Sequence, residues 1–314
     1  MNKTINLLQN NDNFLIITHK KPDGDTTGSA GALCNVLRKI GKTAFVLKND
    51  DVTPKYGHLI ENYYASEDFS PDFIITTDIA STDLFTDNAS IYKDNIDLCI
   101  DHHVLSNNGF AKENLILDTA ACGEIVFDIA NLLDVNFDKE LALALYYSVS
   151  TDTGCFKYPN TTAHTHLVAA KCLPFIKAGE INRVLFDMKT KARLEIEKRV
   201  LTNISFYFDE KVSLITISNK DKQETGATPD DLDSIAALPR SIEGVMVAIT
   251  LTEQSNGDIK VSVRSSGDVS ASDICRIYDG GGHLRAAGAT FTGLTFEKVI
   301  EKMIFATQKV SNYV

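Results

Sequence analysis

The apolar run Ile96-Asp97-Leu98-Cys99-Ile100 leads directly into the triplet Asp101-His102-His103. A short apolar run of this kind is typical of a buried parallel strand. Ligands of open α/β sheets bind outside the carboxyl ends of the strands. We therefore expect the Asp-His-His triplet to lie at a ligand-binding edge of a sheet, where all three side chains can bind a metal ion.

Three further segments end in side chains of the same chemistry. The apolar run 14–18 leads to His19 and then to Asp23-Gly24-Asp25, the run 73–77 leads to Asp78, and Asp152 follows a helical apolar pattern over 141–148. A single Asp after a strand is usually a helix cap or a turn residue. Four segments that end in the same way indicate a shared site instead.

The candidate ligands of this site are all carboxylates and imidazoles. They are His19, Asp23, Asp25, Asp78, Asp101, His102, His103 and Asp152. Such donors suit Mn²⁺, Fe²⁺ or Zn²⁺, whereas thiolates would favour zinc or iron–sulfur centres. The set is too large for one ion with open positions, and two ions that share a carboxylate use it more economically. Paired ions about 3.5–4 Å apart hold both oxygens of an in-line phosphoryl displacement.

Composition limits the partners and the compartment. The chain has 314 residues, enough for two domains, and a net charge of −11, so it offers no basic face for long duplex nucleic acid. A small anionic substrate is compatible with this charge. The six cysteines are scattered without CxxC pairs, as is typical of free thiols in a reducing compartment. No apolar run approaches the roughly 20 residues that span a bilayer, and no secretory signal is visible, so we expect a cytoplasmic location and no membrane partner.

Alternating apolar runs and helical patterns over residues 1–188 predict a doubly wound parallel sheet, the catalytic metal-binding domain. A charged helical pattern over 189–205 predicts a helical linker, and residues 206–314 predict a smaller α/β domain with a mixed sheet. Predicted helices lie near 26–40, 123–133, 138–150, 162–178, 229–238, 270–278 and 295–309. Further predicted strands lie at 43–47, 212–217, 245–251 and 259–263, and Asn256-Gly257 predicts a hairpin between the last two.

The second domain has a candidate phosphate-binding segment of its own, Gly280-Gly281-Gly282-His283. Consecutive glycines suit a backbone that approaches a ligand closely or adopts positive φ, and their N–H groups can surround phosphate oxygens. A flexible loop or a wide turn is the alternative. Arg264 ends a predicted strand and can bind a phosphate with its guanidinium, and Arg240 is a weaker candidate. We expect the active site in a cleft between the two domains.

These motifs resemble those of a known family. The segment from His19 to Asp25, together with Asp78, Asp101-His102-His103 and Asp152, resembles the four N-terminal motifs of the DHH phosphoesterases. The glycine-rich segment with Arg264-Ser265 resembles the DHHA1 domain that accompanies many of them, and the nearest subgroup is the NrnA-type oligoribonucleases and 3′-phosphoadenosine-5′-phosphate (pAp) phosphatases. The resemblance covers essentially the whole chain. Leu284 departs from it, because this position is commonly Pro in the family.

The resemblance implies two divalent ions, typically Mn²⁺, and a role for each motif residue. One ion would be held by His19, Asp23 and Asp78, and the other by Asp25, Asp78, His102 and Asp152, with Asp78 bridging. Asp101 would orient a neighbouring histidine, and His103 would contact the scissile phosphate or assist proton transfer. Arg264 and the segment Gly280, Gly281, Gly282 and His283 would hold a terminal phosphate or the nucleotide.

The activity implied is hydrolysis of short single-stranded oligoribonucleotides to 5′-mononucleotides, or of pAp to AMP and phosphate, through a hydroxide that bridges the two ions. A linear or cyclic dinucleotide phosphodiesterase is the nearest alternative. A family II inorganic pyrophosphatase and a non-catalytic nucleotide-binding protein are more distant ones. Analogy with the family also suggests a homodimer.

Overall fold

The computed structural model describes residues 1–103, 109–232 and 235–311. The chain forms two compact units, Met1–Met188 and Lys189–Val314. Within the residues described, no helix has both the length and the apolar character needed to cross a membrane.

The first unit is built on a five-stranded sheet in which every strand is parallel to its neighbours. Its strands are β1 (Phe14–Ile17), β2 (Ala44–Val46), β3 (Phe73–Thr77), β4 (Leu98–Asp101) and β5 (Glu113–Ile116). The order β2-β1-β3-β4-β5 reverses direction between β1 and β3. Such a reversal is the position where open α/β sheets bind ligands, and His19 and Asp78 follow these two strands.

In the described part of this unit, seven α-helices accompany the sheet. They are α1 (Asn2–Asn10), α2 (Gly24–Lys39), α3 (Pro54–Gly57), α4 (Cys122–Leu132), α5 (Lys139–Asp152), α6 (Ala163–Cys172) and α7 (Ala178–Asn182). Short 3₁₀ turns cover Glu61–Tyr63, Thr82–Leu84 and Ser90–Tyr92, and Arg183–Asp187 forms a π-helical turn.

Both faces of the parallel sheet are buried, which explains why its strands are continuous apolar runs. Successive side chains of a strand point to opposite faces. Ile16 and Ile75 accordingly join the large core formed with α2, α4 and α5. Ile17 and Ile74 point the other way and pack under the segment 79–96.

The second unit contains a six-stranded mixed sheet. Its strands are β6 (Ser205–Tyr207), β7 (Val212–Ile217), β8 (Val247–Glu253), β9 (Ile259–Ser265), β10 (Gly281–His283) and β11 (Ala286–Phe291), in the order β10-β11-β9-β8-β7-β6. Only β7 and β8 run parallel. The predicted hairpin is confirmed, since β8 and β9 pair antiparallel and Gly257 in their connection has a φ of 84°.

The second unit also contains five α-helices and one 3₁₀ helix among its described residues. They are α8 (Lys191–Thr202), α9 (Asn219–Thr225), α10 (Pro229–Leu232), the 3₁₀ helix Ile235–Ser241, α11 (Ala271–Arg276) and α12 (Phe296–Val310). Helix α8 occupies the segment predicted as a linker helix, and its Ile196 and Val200 pack against Ile215 of β7.

Two predicted helices are wrong in extent. The helix predicted over 162–178 ends at Cys172, because Pro174 follows closely and cannot continue a helix. The helix predicted over 229–238 is only one turn, α10, followed by a separate 3₁₀ helix that contains Pro239. Strand β5 was not predicted, since its sequence Glu-Asn-Leu-Ile is half polar and buries only Leu115 fully.

Candidate metal centre

Two histidines present the same ring nitrogen to the centre. His19 Nδ1 lies 2.8 Å from the carbonyl oxygen of Lys20, and His102 Nδ1 lies 3.1 Å from that of Thr119. Because a carbonyl oxygen only accepts hydrogen bonds, Nδ1 must be the donating nitrogen in both rings. This arrangement leaves Nε2 as the nitrogen that can bind a metal ion, as is usual for histidine ligands.

Asp78 lies between the two histidines and faces each with a different oxygen. Its Oδ2 is 3.6 Å from His19 Nε2, and its Oδ1 is 3.4 Å from His102 Nε2. The residue has a φ of 59°, a left-handed conformation that Asp tolerates. Its side chain is buried, and Oδ1 has no hydrogen-bond partner in the described part of the chain. A buried carboxylate oxygen without a donor is costly, and a cation would remove this cost.

The first ligand group consists of His19, Asp23 and Asp78, whose donor atoms all lie within 4.8 Å of one another. Asp23 Oδ1 is 3.8 Å from His19 Nε2. The same oxygen caps α2, accepting hydrogen bonds from the backbone N–H groups of Asp25 and Thr26. Asp23 is therefore a helix cap and a member of the cluster at once, so the two interpretations of an Asp after a strand do not exclude each other.

The second ligand group consists of Asp25, His102 and Asp152. His102 Nε2 lies 3.7 Å from Asp25 Oδ2 and 3.3 Å from Asp152 Oδ2. Asp25 is fully buried and accepts hydrogen bonds from the backbone N–H groups of Cys122 and Gly123, at the start of α4. A helix N-terminus stabilises a negative charge, so α4 supports the ionised form of this carboxylate.

The His103 ring is held by a hydrogen bond to Asp101. Its Nδ1 is 2.8 Å from Asp101 Oδ1, which also accepts the backbone N–H of His102. The Asp101 hydrogen bond raises the pKa of His103. Burial opposes ionisation of Asp101, but the hydrogen bond and charge of His103, together with the backbone N–H groups of His102 and His103, outweigh it and lower the pKa of Asp101. His103 also has its Nδ1 3.6 Å from Asp78 Oδ1, and its side chain is half-exposed.

The clustered carboxylates shift the pKa values of several histidines and aspartates in the centre. Burial opposes protonation of His19 and His102, but neighbouring carboxylates outweigh it and raise the pKa of each to about 10. Burial, followed by the charge of other carboxylates in the centre, raises the pKa of both Asp25 and Asp152. Divalent cations relieve repulsion of this kind, and the oxygen and nitrogen donors fit Mn²⁺, Fe²⁺ or Zn²⁺. The residues present therefore fit a divalent metal site.

Several residues that shape the centre were not predicted from the sequence. Asn49 and Asn160 donate to the backbone oxygens of His19 and Asp152, respectively, and Ser148 donates to Asp25. Ser148 alone carries a sequence signal, because it is a polar residue within the apolar run of α5. The asparagines lie in connections where polar residues are expected, so their sequence positions carry no signal.

The candidate phosphate-binding residues of the second unit lie on adjoining strands. Ala286 of β11 pairs with Arg264 of β9 on one side and with His283 of β10 on the other. Paired residues point to the same face of a sheet, so Arg264 and His283 flank the small Ala286. The glycine-rich segment is therefore mostly a strand at the edge of the sheet, and not the wide turn or loop considered from the sequence. A Cβ at Gly282 would lie 2.6 Å from the Ala286 oxygen, which explains one of the glycines. Arg240 is exposed in the 3₁₀ helix Ile235–Ser241.

The chain is similar in sequence to known protein families and proteins. The DHH family, N-terminal domain, matches residues 13–149, and the DHHA1 domain matches residues 210–310. The chain is 30% identical to the bifunctional oligoribonuclease and PAP phosphatase NrnA of Thermus thermophilus, over 94% of this chain and 89% of that one. The protein of the same name from Bacillus subtilis is 24% identical, over 89% of each.

The fold also matches a solved structure, an exopolyphosphatase-related protein from Bacteroides fragilis. The TM-score is 0.84 at 24% identity, and the match covers 98% of this chain and 95% of the other. Both domain matches, the relatives of similar length and the clustered Asp and His side chains agree with one another. The chain therefore belongs to the DHH phosphoesterase family, in which its DHH domain is followed by a DHHA1 domain, and it is a hydrolase of phosphoester bonds.

Proposed function

We propose that this protein is a Mn²⁺-dependent phosphoesterase that hydrolyses short oligoribonucleotides to 5′-mononucleotides and pAp to AMP and phosphate. The observation that carries the proposal is the position of Asp78, whose two oxygens face two separate ligand groups 3.4 and 3.6 Å away. A carboxylate in this position can be shared by two ions. The names of the relatives supply the substrate class, since those proteins are called oligoribonucleases and PAP phosphatases.

The residues of the centre have two proposed roles, metal binding and substrate contact. His19, Asp23 and Asp78 would hold one ion. Asp25, His102 and Asp152 would hold the other together with Asp78, which also clusters with His102 and His103. Bound divalent ions lower the pKa of water and offset charge on phosphoryl oxygens. Asp101 fixes Nδ1 of His103, so Nε2 is the ring nitrogen that can donate to a phosphoryl oxygen of the substrate.

The second unit would bind the remainder of the substrate. Arg264 is half-buried, and the described part of the chain gives it no carboxylate partner. Its guanidinium can therefore form a two-pronged contact with a terminal phosphate. His283 is exposed and lies on β10, on the opposite side of Ala286 from Arg264. It adds a second hydrogen-bond donor there. Gly281 lies on the same face of β10 as His283 and adds no side chain there. The overall charge of −11 suits short oligonucleotides better than long ones, which carry more negative charge.

A product profile tests the proposed activity. With Mn²⁺ present, the protein should release 5′-mononucleotides from di- to pentaribonucleotides and phosphate from pAp. Asp78→Ala should lower both rates by at least about 1,000-fold, because it removes the ligand shared by both groups, and His103→Ala should also impair both. Glu180→Ala, which removes an exposed carboxylate of α7 paired with Lys177, should have no effect. Cyclic dinucleotides, pyrophosphate and RNA of graded length complete the panel.

Two results of this panel would contradict the proposal. Faster turnover of pyrophosphate or of cyclic dinucleotides than of pAp and short RNA would assign the protein to one of the alternative activities. Near-normal hydrolysis of di- to pentanucleotides by Asp78→Ala or His103→Ala would remove the roles assigned to these residues. Binding of two Mn²⁺ ions without turnover of any substrate would indicate a nucleotide-binding protein.

Metal binding should release protons. His19 and His102, each with a pKa of about 10 in the metal-free centre, carry a proton at neutral pH that an ion at Nε2 must displace. Calorimetric titration with Mn²⁺ in buffers of different ionisation enthalpy should report at least two protons released near pH 7, because Asp25 and Asp152, whose pKa values are also raised, lose protons to the ions as well. Affinity should rise with pH, since fewer protons compete for the ligands. Proton-neutral binding with an affinity independent of pH would contradict the assignment of both histidines as ligands.

Substrate binding should depend on Arg264. Arg264→Ala should raise the KM for pAp by about 10- to 100-fold, the loss expected for a hydrogen bond to a charged group. Turnover of bis(p-nitrophenyl) phosphate, which has no terminal phosphate, should change little. Arg276→Ala is the matched control, because this arginine of α11 is exposed and paired with Asp273. Equal effects of the two variants, or an equal loss on both substrates, would argue against a phosphate contact at Arg264.

A further inference from the structure

We propose that Ser148 is a positioning residue that makes Asp25 bind its metal ion through Oδ2 alone. The proposal rests on the proposed role of Asp25 as a metal ligand. Ser148 lies in the middle of α5, is fully buried and donates a hydrogen bond of 2.5 Å from its Oγ to Asp25 Oδ1.

The direction of this hydrogen bond is unusual for its helix. Serine and threonine inside helices commonly donate to a backbone carbonyl one turn earlier. Ser150, Thr151 and Thr153 all follow this rule, donating to the carbonyl oxygens of Tyr147 or Val149. Ser148 instead reaches across to α2. Its hydroxyl therefore serves the carboxylate of Asp25, and not the backbone of its own helix.

Counting hydrogen bonds shows which oxygen remains for a metal ion. Asp25 Oδ1 accepts two, from the backbone N–H of Gly123 and from Ser148, so both of its lone pairs are used. Oδ2 accepts one, from the backbone N–H of Cys122. One lone pair is left on Oδ2, and this is the oxygen that lies 3.7 Å from His102 Nε2. Ser148 thus determines that the carboxylate offers one oxygen, in one orientation.

Close packing around Ser148 holds its hydroxyl in place. A Cβ at Gly123 would lie 1.9 Å from Ser148 Oγ, so only glycine leaves room for the hydroxyl there. A Cβ at Gly28 would lie 2.5 Å from the Ala144 oxygen and 2.9 Å from the Ser148 nitrogen, so α2 and α5 approach each other closely through this glycine. The close approach of the helices at these glycines brings Ser148 within reach of Asp25.

Without the hydroxyl, Oδ1 regains a lone pair and Asp25 loses a restraint on its rotation. Partners of metal ligands commonly contribute about 10- to 100-fold to metal affinity. Ser148→Ala should therefore weaken one of the two Mn²⁺ sites by about this factor and leave the other unchanged. Electron paramagnetic resonance can follow this by titrating free Mn²⁺ against the metal-free protein. Hydrolysis by the variant should be impaired at low Mn²⁺ and recover at saturating Mn²⁺.

Ser150→Ala is the matched control. It removes a hydroxyl of equal burial from the same helix, two residues away, whose one hydrogen bond within the described residues goes to the Tyr147 carbonyl. This variant should bind Mn²⁺ as the wild type does. Alanine adds no atom and favours helices, so both variants should fold, and circular dichroism of the metal-free proteins checks this.

Three results would overturn the proposal. They are unchanged binding of both ions by Ser148→Ala, equal loss in Ser148→Ala and Ser150→Ala, and a loss of hydrolysis that saturating Mn²⁺ does not restore. Failure of the proposed function looks different, because the wild-type protein would then not bind two ions or would not turn over the nucleotide substrates.

Discussion

Repulsion among clustered carboxylates shapes the rest of this structure. Asp25, Asp78 and Asp101 are buried, and the half-buried Asp152 and the exposed Asp23 join them at one edge of the parallel sheet. Isolated charges of one sign do not survive burial without compensation. Here compensation comes from the histidines and from backbone N–H groups, and we propose that divalent cations supply the rest. The unsatisfied Asp78 Oδ1 marks the position where the protein's own donors are insufficient.

The fold supplies these compensating groups from elements that the apolar core has already fixed. The sheet reverses its order between β1 and β3, which opens the edge where His19 and Asp78 lie. Helix α2 begins immediately beyond β1 and carries two of the carboxylates in its cap and first turn. Helix α4 points its N-terminus at Asp25, while α5 ends at Asp152. Each ligand therefore stands at the end of a rigid element, which keeps the site preorganised for ions and substrate.

Much of this site can be predicted from the sequence because the ends of buried strands are easy to recognise. An apolar run followed by His19 or Asp78 predicts both the strand and the edge at which its ligand lies. Helix ends are harder to predict. The helix predicted over 162–178, for example, ends at Cys172. The support from Ser148 depends on how closely α2 and α5 pack, a property of the three-dimensional structure that no local pattern contains. The glycine-rich segment was recognised by composition, but its pairing with Ala286 and Arg264 needed the sheet register.

We propose that two divalent ions share Asp78. Crystals of the protein grown with Mn²⁺ and measured at the manganese absorption edge test this. We expect two anomalous scattering peaks, one among His19, Asp23 and Asp78 and the other among Asp25, Asp78, His102 and Asp152. Peaks about 3.5–4 Å apart with Asp78 in contact with both would agree with a two-ion centre. A single peak, or ions bound away from Asp78, would contradict it.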